Sequence, residues 1–385
     1  MFNPEKRYIY LDYNATTPVR NEVAEEVIKA LNVGNPSSPH WSGREARELL
    51  DSAREKVAKI FGVETHEIIF NSGATEGNNT VIKGTAFLEM KKNKTPFFIT
   101  TSVEHSSVLR PIDFVKELGA KVEFVKVDRY GIPDPDDFRK IIKKNGKPSL
   151  ISLMYVNNET GVILPLKEIV KIAKEYEVLV HSDIVQAVGK IEINLRELGV
   201  DFATFSAHKI YGPKGVGALY IKKGTPLEPL LHGGKQEDGL RAGTQNVSGA
   251  VGLAKALELC TKELKEENRR LRKIQQLFES LVLGIEDTKI NGHPEFRVPS
   301  TSNVLFKGVE GETLLISLDL EGIAASMGSA CLAESKTPSH VLIAMGLTEE
   351  EAKSSIRFSF GIYTKEEDIY YTTEKLKQIV KKLRE

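Results

Sequence analysis

The sequence predicts an α/β protein: a large domain with a mainly parallel central sheet flanked by helices, joined to a smaller α+β domain. Three observations carry this. Through most of the first 225 residues, short apolar or β-branched runs alternate with amphipathic segments of helical period, the rhythm of βαβ units. One long helical pattern then fills Ser248–Ser280, and beyond it strand and helix candidates follow a different texture. The length of 385 residues suits two domains, and 41% hydrophobic residues can fill their cores.

Taken in order, Asn21–Val33 reads as a helix with Val23, Val27, Ile28 and Leu31 on one face. Trp41–Phe61 reads as a second, ended by Gly62 at its C′ position. A strand at Glu67–Phe70 runs into the turn Ser72-Gly73-Ala74-Thr75 and a helix from about Glu76. Further strands are expected at Phe97–Thr101, Val122–Val127, Leu150–Val156, Val178–Ser182, Phe202–Ser206 and Val216–Ile221. Helices at Ser106–Leu118, Pro135–Lys144 and Pro165–Tyr176 supply crossovers that parallel strands need. In the last third, Ser302–Phe306, Gly322–Met327 and Ser355–Phe360 read as strands, with helices at Glu312–Leu320, Ser339–Met345 and Lys365–Leu383. The division expected is 15–262 for the large domain, with 1–14 and 263–385 forming the small one.

Lys+Arg and Asp+Glu both number 53, so the formal net charge is zero. That balance gives no electrostatic case for a nucleic-acid or membrane-surface partner. No apolar run reaches the roughly 20 residues of a membrane helix, and Pro4, Glu5, Lys6 and Arg7 interrupt any secretory leader. A reducing, cytoplasmic setting is expected. The two cysteines, Cys260 and Cys331, cannot build a disulfide scaffold or a four-cysteine metal site. Cys260 falls on the apolar stripe of Leu253, Ala256, Leu257 and Leu264, and reads as buried and inert. Cys331 lies among small and polar residues between Ser326 and Pro338, where a thiol can be exposed and ionise.

Ligands in an open α/β sheet sit at the carboxyl ends of its strands. After the Glu67–Phe70 strand, the helix opening at Ala74 and Thr75 suits a phosphate, though such a turn serves equally as a plain helix cap. After Val178–Val180 come His181, Ser182 and Asp183, with Gln186 one turn on; the acid can face a cofactor or cap a helix. After Phe202–Phe205 comes Ser206-Ala207-His208-Lys209-Ile210-Tyr211-Gly212-Pro213, where a lysine can hold an aldehyde as a Schiff base or be merely solvated. An acid, an anion site and a lysine at strand ends of one sheet together suit pyridoxal phosphate.

The run around Lys209, with His181-Ser182-Asp183-Ile184-Val185-Gln186, resembles the fold-type I pyridoxal-phosphate enzymes, in the class V aminotransferase superfamily. More narrowly, the chain resembles the class I, NifS-type cysteine desulfurases. Leu11-Asp12-Tyr13-Asn14-Ala15-Thr16-Thr17-Pro18, Gly34-Asn35-Pro36-Ser37-Ser38 and Val103-Glu104-His105 support this. So do Asn157-Asn158-Glu159-Thr160-Gly161, Arg241-Ala242-Gly243-Thr244, Gly328-Ser329-Ala330-Cys331 and Ser355-Ile356-Arg357-Phe358-Ser359. These motifs stand in the family's order from residue 11 to about 361.

The resemblance implies the roles. Lys209 would carry pyridoxal 5'-phosphate and serve as acid and base at the substrate Cα. Asp183 would pair with the pyridinium nitrogen, Asn158 and Gln186 would bond near the phenolic oxygen, and His105 would stack on the ring and shuttle a proton. Ala74, Thr75, Ser206 and His208 would hold the phosphate, joined by Thr244 of the partner subunit, which implies a homodimer. Arg357 and Asn35 would orient the carboxylate of L-cysteine, a task that suits a bidentate guanidinium; a structural ion pair is the plainer role for Arg357. Cys331 would take the sulfur as a persulfide, leaving L-alanine, and hand it to an iron–sulfur scaffold or another acceptor protein. No resident metal is expected, Cys331 being at most a transient ligand to a scaffold's cluster iron.

Departures from the family pattern are Ile184 and Val185 before Gln186, Lys235 where glycine is usual, Asp238 where arginine is frequent, and Met327 before Gly328. With the sequence ending at Glu385, docking to a scaffold through the C-terminal extension that some relatives use is not expected. The alternatives are a selenocysteine lyase or aminotransferase on the same fold, and a non-catalytic docking partner in cluster assembly.

Overall fold

The computed structural model describes residues 7–328 and 337–385. Strand β1 (Ile9–Tyr10) precedes helices α1 (Asn21–Lys29) and α2 (Trp41–Phe61). Then come β2 (Ile68–Asn71), α3 (Ala74–Lys91), β3 (Phe97–Thr101), α4 (Ser106–Glu117), β4 (Lys121–Val125), α5 (Pro135–Asn145) and β5 (Leu150–Ser152). Next are α6 (Leu166–Glu175), β6 (Val180–Asp183), α7 (Leu195–Leu198), β7 (Phe202–Ser206) and β8 (Gly217–Ile221). Helix α8 (Val247–Val282) leads to β9 (Thr288–Asn291), β10 (Thr301–Phe306), α9 (Gly311–Leu320) and β11 (Ile323–Ala324). The chain closes with α10 (His340–Ala344), α11 (Glu349–Lys353), β12 (Ser355–Ser359) and α12 (Glu366–Arg384).

Seven strands form the large sheet in the order β2-β8-β7-β6-β5-β3-β4. Only β8 runs against the rest, pairing antiparallel with both β2 and β7. Strands β2, β3, β5, β6 and β7 therefore end at one edge. Their side chains are buried throughout, as expected where helices cover both faces. A second sheet, β12-β10-β9, is antiparallel, and β1 pairs in parallel with β11.

Helix α8 has 36 residues, about 54 Å at 1.5 Å per residue. Its first half, through Ala250, Leu253, Leu257 and Cys260, packs into the core of the large sheet. Its second half, through Leu271, Ile274, Phe278 and Val282, packs into a separate core with Ile9, Leu11, Val304, Ile356 and Phe358. One rod thus serves two cores.

The parallel rhythm and the elements at Trp41–Phe61, Phe97–Thr101 and Phe202–Ser206 agree with the sequence reading. Other limits need correction. Helix α1 stops at Lys29, and Ile28 and Leu31 are 62% and 60% exposed, because Val23 is its buried contact. The strand expected at Val178–Ser182 is Val180–Asp183, so Asp183 ends the strand rather than following it. Leu150–Val156 shortens to Leu150–Ser152, as the chain leaves the sheet for the bridge Val156–Ile163. Gly322–Met327 reduces to the two residues that pair with β1. Strands β1 and β9 and helix α11 are too short for a periodic signal.

Candidate active site

A cavity of about 250 Å³ opens at the carboxyl edge of the large sheet. Ala74 and Thr75 reach it from the start of α3, Asp183 from the end of β6 and Ser206 from the end of β7. His105 comes from the loop after β3, Asn158 from the loop after β5, and Gln186, His208 and Lys209 from just past β6 and β7. Arg357 arrives from the middle of β12, in the other core. Ten of the residues expected at a site thus line one space.

Each is held by local chemistry. Gly73 caps α3 without a side chain, so the positive end of that helix is open to an anion, while Ala74 N donates to Ser206 Oγ at 2.8 Å. The Asp183 carboxylate accepts from Asn78 Nδ2 at 2.8 Å and from Val185 N at 3.0 Å. Asn78 also donates to Ser107 Oγ at 2.8 Å, which lies 2.7 Å from His105 Nδ1. Ser107 N donates to the same Nδ1 at 3.1 Å, so a neutral His105 carries its proton on Nε2. Burial pushes the His105 pKa down against the opposing pull of Asp183, and Lys209, His340 and Arg357 push the same way as burial. Burial, with Lys209 and Lys214 nearby, takes His208 to about 4. Both imidazoles are therefore neutral at neutral pH.

Lys209 Nζ donates to the carbonyls of Asn14 and Ala15 at 2.6 and 2.7 Å. Arg357 Nη2 pairs with Asp12 at 2.7 Å and Nη1 donates to Asn158 O at 3.1 Å. Its Nε is buried and has no hydrogen-bond partner among the described residues. An unsatisfied buried donor costs about 1–3 kcal/mol, a cost that a carboxylate ligand would remove. The ion pair and the readiness for a ligand coexist on one guanidinium.

Not every expected residue is here. Asn35 is exposed, with Oδ1 accepting from Ser37 N at 2.9 Å, and does not line the cavity. Thr244 is also exposed and outside it. Cys331 lies outside the described residues. The chain on either side of that segment is anchored beside the site. Ser339 Oγ donates to Glu159 Oε2 at 2.5 Å, and a Cβ at Gly328 would stand 2.8 Å from that same oxygen. Gly328 has φ +129°, so glycine is required there twice over. Cys260, in contrast, is buried on α8, its Sγ 3.4 Å from Ile210 O, and burial pushes its thiol up to about 12.

The main residue not assigned a role from sequence is Asn14. It is 2% exposed, its carbonyl accepts from Lys209 and Gln186, and its Nδ2 donates to Asn158 O at 3.1 Å. The signal was its place in the Leu11–Pro18 motif, read there without a role because nothing local says what an asparagine in a loop will meet. Asn78 is similar: only the fold brings it to Asp183.

Comparison with known proteins agrees with this geometry. The family described as Aminotransferase class-V matches residues 9–371. The cysteine desulfurase IscS of Dictyoglomus turgidum is 50% identical over 382 residues, covering 98% of this chain and 96% of the relative. A solved NifS-like protein superposes with a TM-score of 0.91 at 40% identity, covering 98% of this chain and all of the other. A structure of SspA in complex with cysteine gives a TM-score of 0.82 at 34% identity, covering 93% and 100% of the two chains. The chain belongs to the class-V aminotransferase family and, within it, to the IscS/NifS-type cysteine desulfurases.

Proposed function

We propose that the protein is a pyridoxal-phosphate-dependent cysteine desulfurase that converts L-cysteine to L-alanine, leaves the sulfur as a persulfide on Cys331 and donates it to acceptor proteins. The observation that carries this is the meeting of Lys209, Asp183, His105 and Arg357 in one cavity at the strand ends. The residues present fit the cofactor. The open end of α3 with Thr75, Ser206 and His208 suits its phosphate, the Asp183 carboxylate suits its ring nitrogen, and Lys209 suits its aldehyde. The orphaned Arg357 Nε suits the carboxylate of an amino acid.

When bound, pyridoxal phosphate supplies an electron sink that stabilises negative charge at the substrate Cα. Asp183, fixed by Asn78 and Val185, would keep a proton on the ring nitrogen. Asn158 and Gln186 would bond the phenolic oxygen, and Lys209 would move the proton at Cα. His105, neutral and oriented by Ser107, would stack on the ring and exchange a proton with the substrate. The Cys331 thiolate would attack the substrate sulfur: an S–S bond forms, the Cβ–S bond breaks, and protonation of the carbon skeleton gives L-alanine. The acceptors proposed are an iron–sulfur scaffold or other sulfur carriers. A homodimer, in which Thr244 of the second copy completes the phosphate site, and a cytoplasmic setting belong to this reading; among the described residues no helix is long and apolar enough to cross a membrane.

The test is release of alanine and sulfide from L-cysteine by wild type and Cys331→Ala, with mass spectrometry of the protein. Wild type should gain one sulfur atom on Cys331, and Cys331→Ala should keep the cofactor's visible absorption while losing turnover. Absence of a borohydride-fixed cofactor adduct on Lys209, or full turnover by Cys331→Ala, would refute it.

A further inference from the structure

A second lysine ends against the back of the site. Lys190 Nζ donates to Asn14 Oδ1 at 2.8 Å and also to Gln186 Oε1. Gln186 Nε2 in turn donates to Asn14 O at 3.0 Å, the same carbonyl that accepts from Lys209 Nζ. Two amines therefore terminate on one buried asparagine, one on its side chain and one on its backbone. Among the described residues Lys190 forms no ion pair with a carboxylate.

The surroundings do little to neutralise that pair of amines. On the cavity side, Lys209 faces Asp183, His105, His208 and Arg357. Asp183 is engaged by Asn78 and Val185, Arg357 brings a positive charge that Asp12 already pairs, and both imidazoles are neutral. Behind the lysines lies a smaller space reached by Tyr13, Tyr211, Cys260, Arg20, Glu263 and Glu267. Glu263 is paired with Arg20 and Glu267 with Arg270, and burial holds the two phenols and the thiol neutral. Burial, then the charges of Lys209 and Arg357, take the Lys190 ammonium down to about 7.

We propose that Lys190 is a positioning residue for Lys209: it braces the Asn14–Gln186 pair on which Lys209 rests, and while it holds its own proton its positive charge favours the neutral form of the Lys209 nitrogen. This rests on the reading of Lys209 as the residue that bears the cofactor. A neutral nitrogen is the one able to bond an aldehyde, and a neighbouring cation in a buried site is a general means of keeping a lysine unprotonated. The brace and the charge are separable, because glutamine at 190 keeps a donor and removes the charge, whereas arginine keeps both.

The experiment is a pH titration, without cysteine, of the visible absorption band of the holoenzyme for wild type, Lys190→Gln, Lys190→Met and Lys190→Arg, with a thermal melt of each. The midpoint should rise by about one pH unit in Lys190→Gln and Lys190→Met and stay at or below the wild-type value in Lys190→Arg, whose charge is permanent. A purely structural role would lower the melting temperature in Lys190→Gln and leave its midpoint in place, which overturns the proposal. Should Lys190→Met not fold, the Gln and Arg proteins make the same comparison. A wild type that carries no such band overturns the cofactor reading and this proposal with it; an unmoved midpoint in a coloured protein overturns this proposal alone.

Discussion

At the scale of single residues, the site works by burying groups beside opposed neighbours. His105 shows this: Asp183 favours its charged form, yet burial, with Lys209 and Arg357 nearby, keeps it neutral. If the neutral imidazole is the working form, activity falls as pH drops through a His105 pKa lying below the ordinary 6.5. The acid limb of kcat/KM should therefore lie below that value. His105→Gln should remove the limb and lower kcat by about 10²–10⁴-fold; a limb unchanged in the variant would assign it elsewhere. The two cysteines separate at this scale as well. Cys260 is held protonated on α8 by burial, so Cys260→Ala should leave turnover unchanged.

At the scale of elements, loops at the strand ends are tied to one another rather than left to move separately. Glu104, in the loop after β3, accepts from Thr101 Oγ1 at 2.8 Å and from Met154 N, beyond β5, at 2.9 Å. His340 at the start of α10 bonds to the Glu104 carbonyl at 2.9 Å. Burial raises the Glu104 carboxyl to about 8, above its unfolded value of 4.5. The unfolded chain therefore releases this proton first, and the stability associated with the protonated group is lost as pH climbs from about 4.5 to about 8. Melting curves of Glu104→Gln should show a flatter dependence on pH across that window than wild type. The stem at Gly328 makes a second prediction. An alanine there meets the Glu159 carboxylate at 2.8 Å. Displacement of the segment bearing Cys331 should cost about tenfold or more in persulfide formation, measured by mass spectrometry, with the cofactor's absorption unchanged.

At the scale of the whole molecule, α8 joins two cores, and the site lies where residues from both meet. Asp183 ends a strand of the large sheet and Lys209 follows another, whereas Arg357 lies on β12 and is paired with Asp12. We place the domain boundary within α8, near 262, on the change of core between Cys260 and Leu271. Thr244 lies outside the cavity of its own chain, so its proposed role requires a second copy. Sedimentation should give a dimer, and Thr244→Ala should weaken cofactor retention without altering that mass. A monomeric, fully active enzyme would remove Thr244 from the site.

Much of this was legible in the chain itself. Alternating apolar runs and amphipathic segments determine the βαβ order, because a buried parallel strand and a half-buried helix impose different periods on the sequence. Motifs at strand ends marked Lys209, Asp183 and Thr75, because topology sends strand ends to one edge, whereas His105 came from the family resemblance alone. Only the tertiary structure decided that Asp183 ends its strand, that Asn78 orients it, that Arg357 pairs with Asp12 while keeping Nε free, and that Lys190 and Lys209 share Asn14. These are contacts between residues 105, 176, 195 and 345 positions apart. Local periodicity carries no information about which polar groups will meet at such separations; the packing of two cores against one helix does.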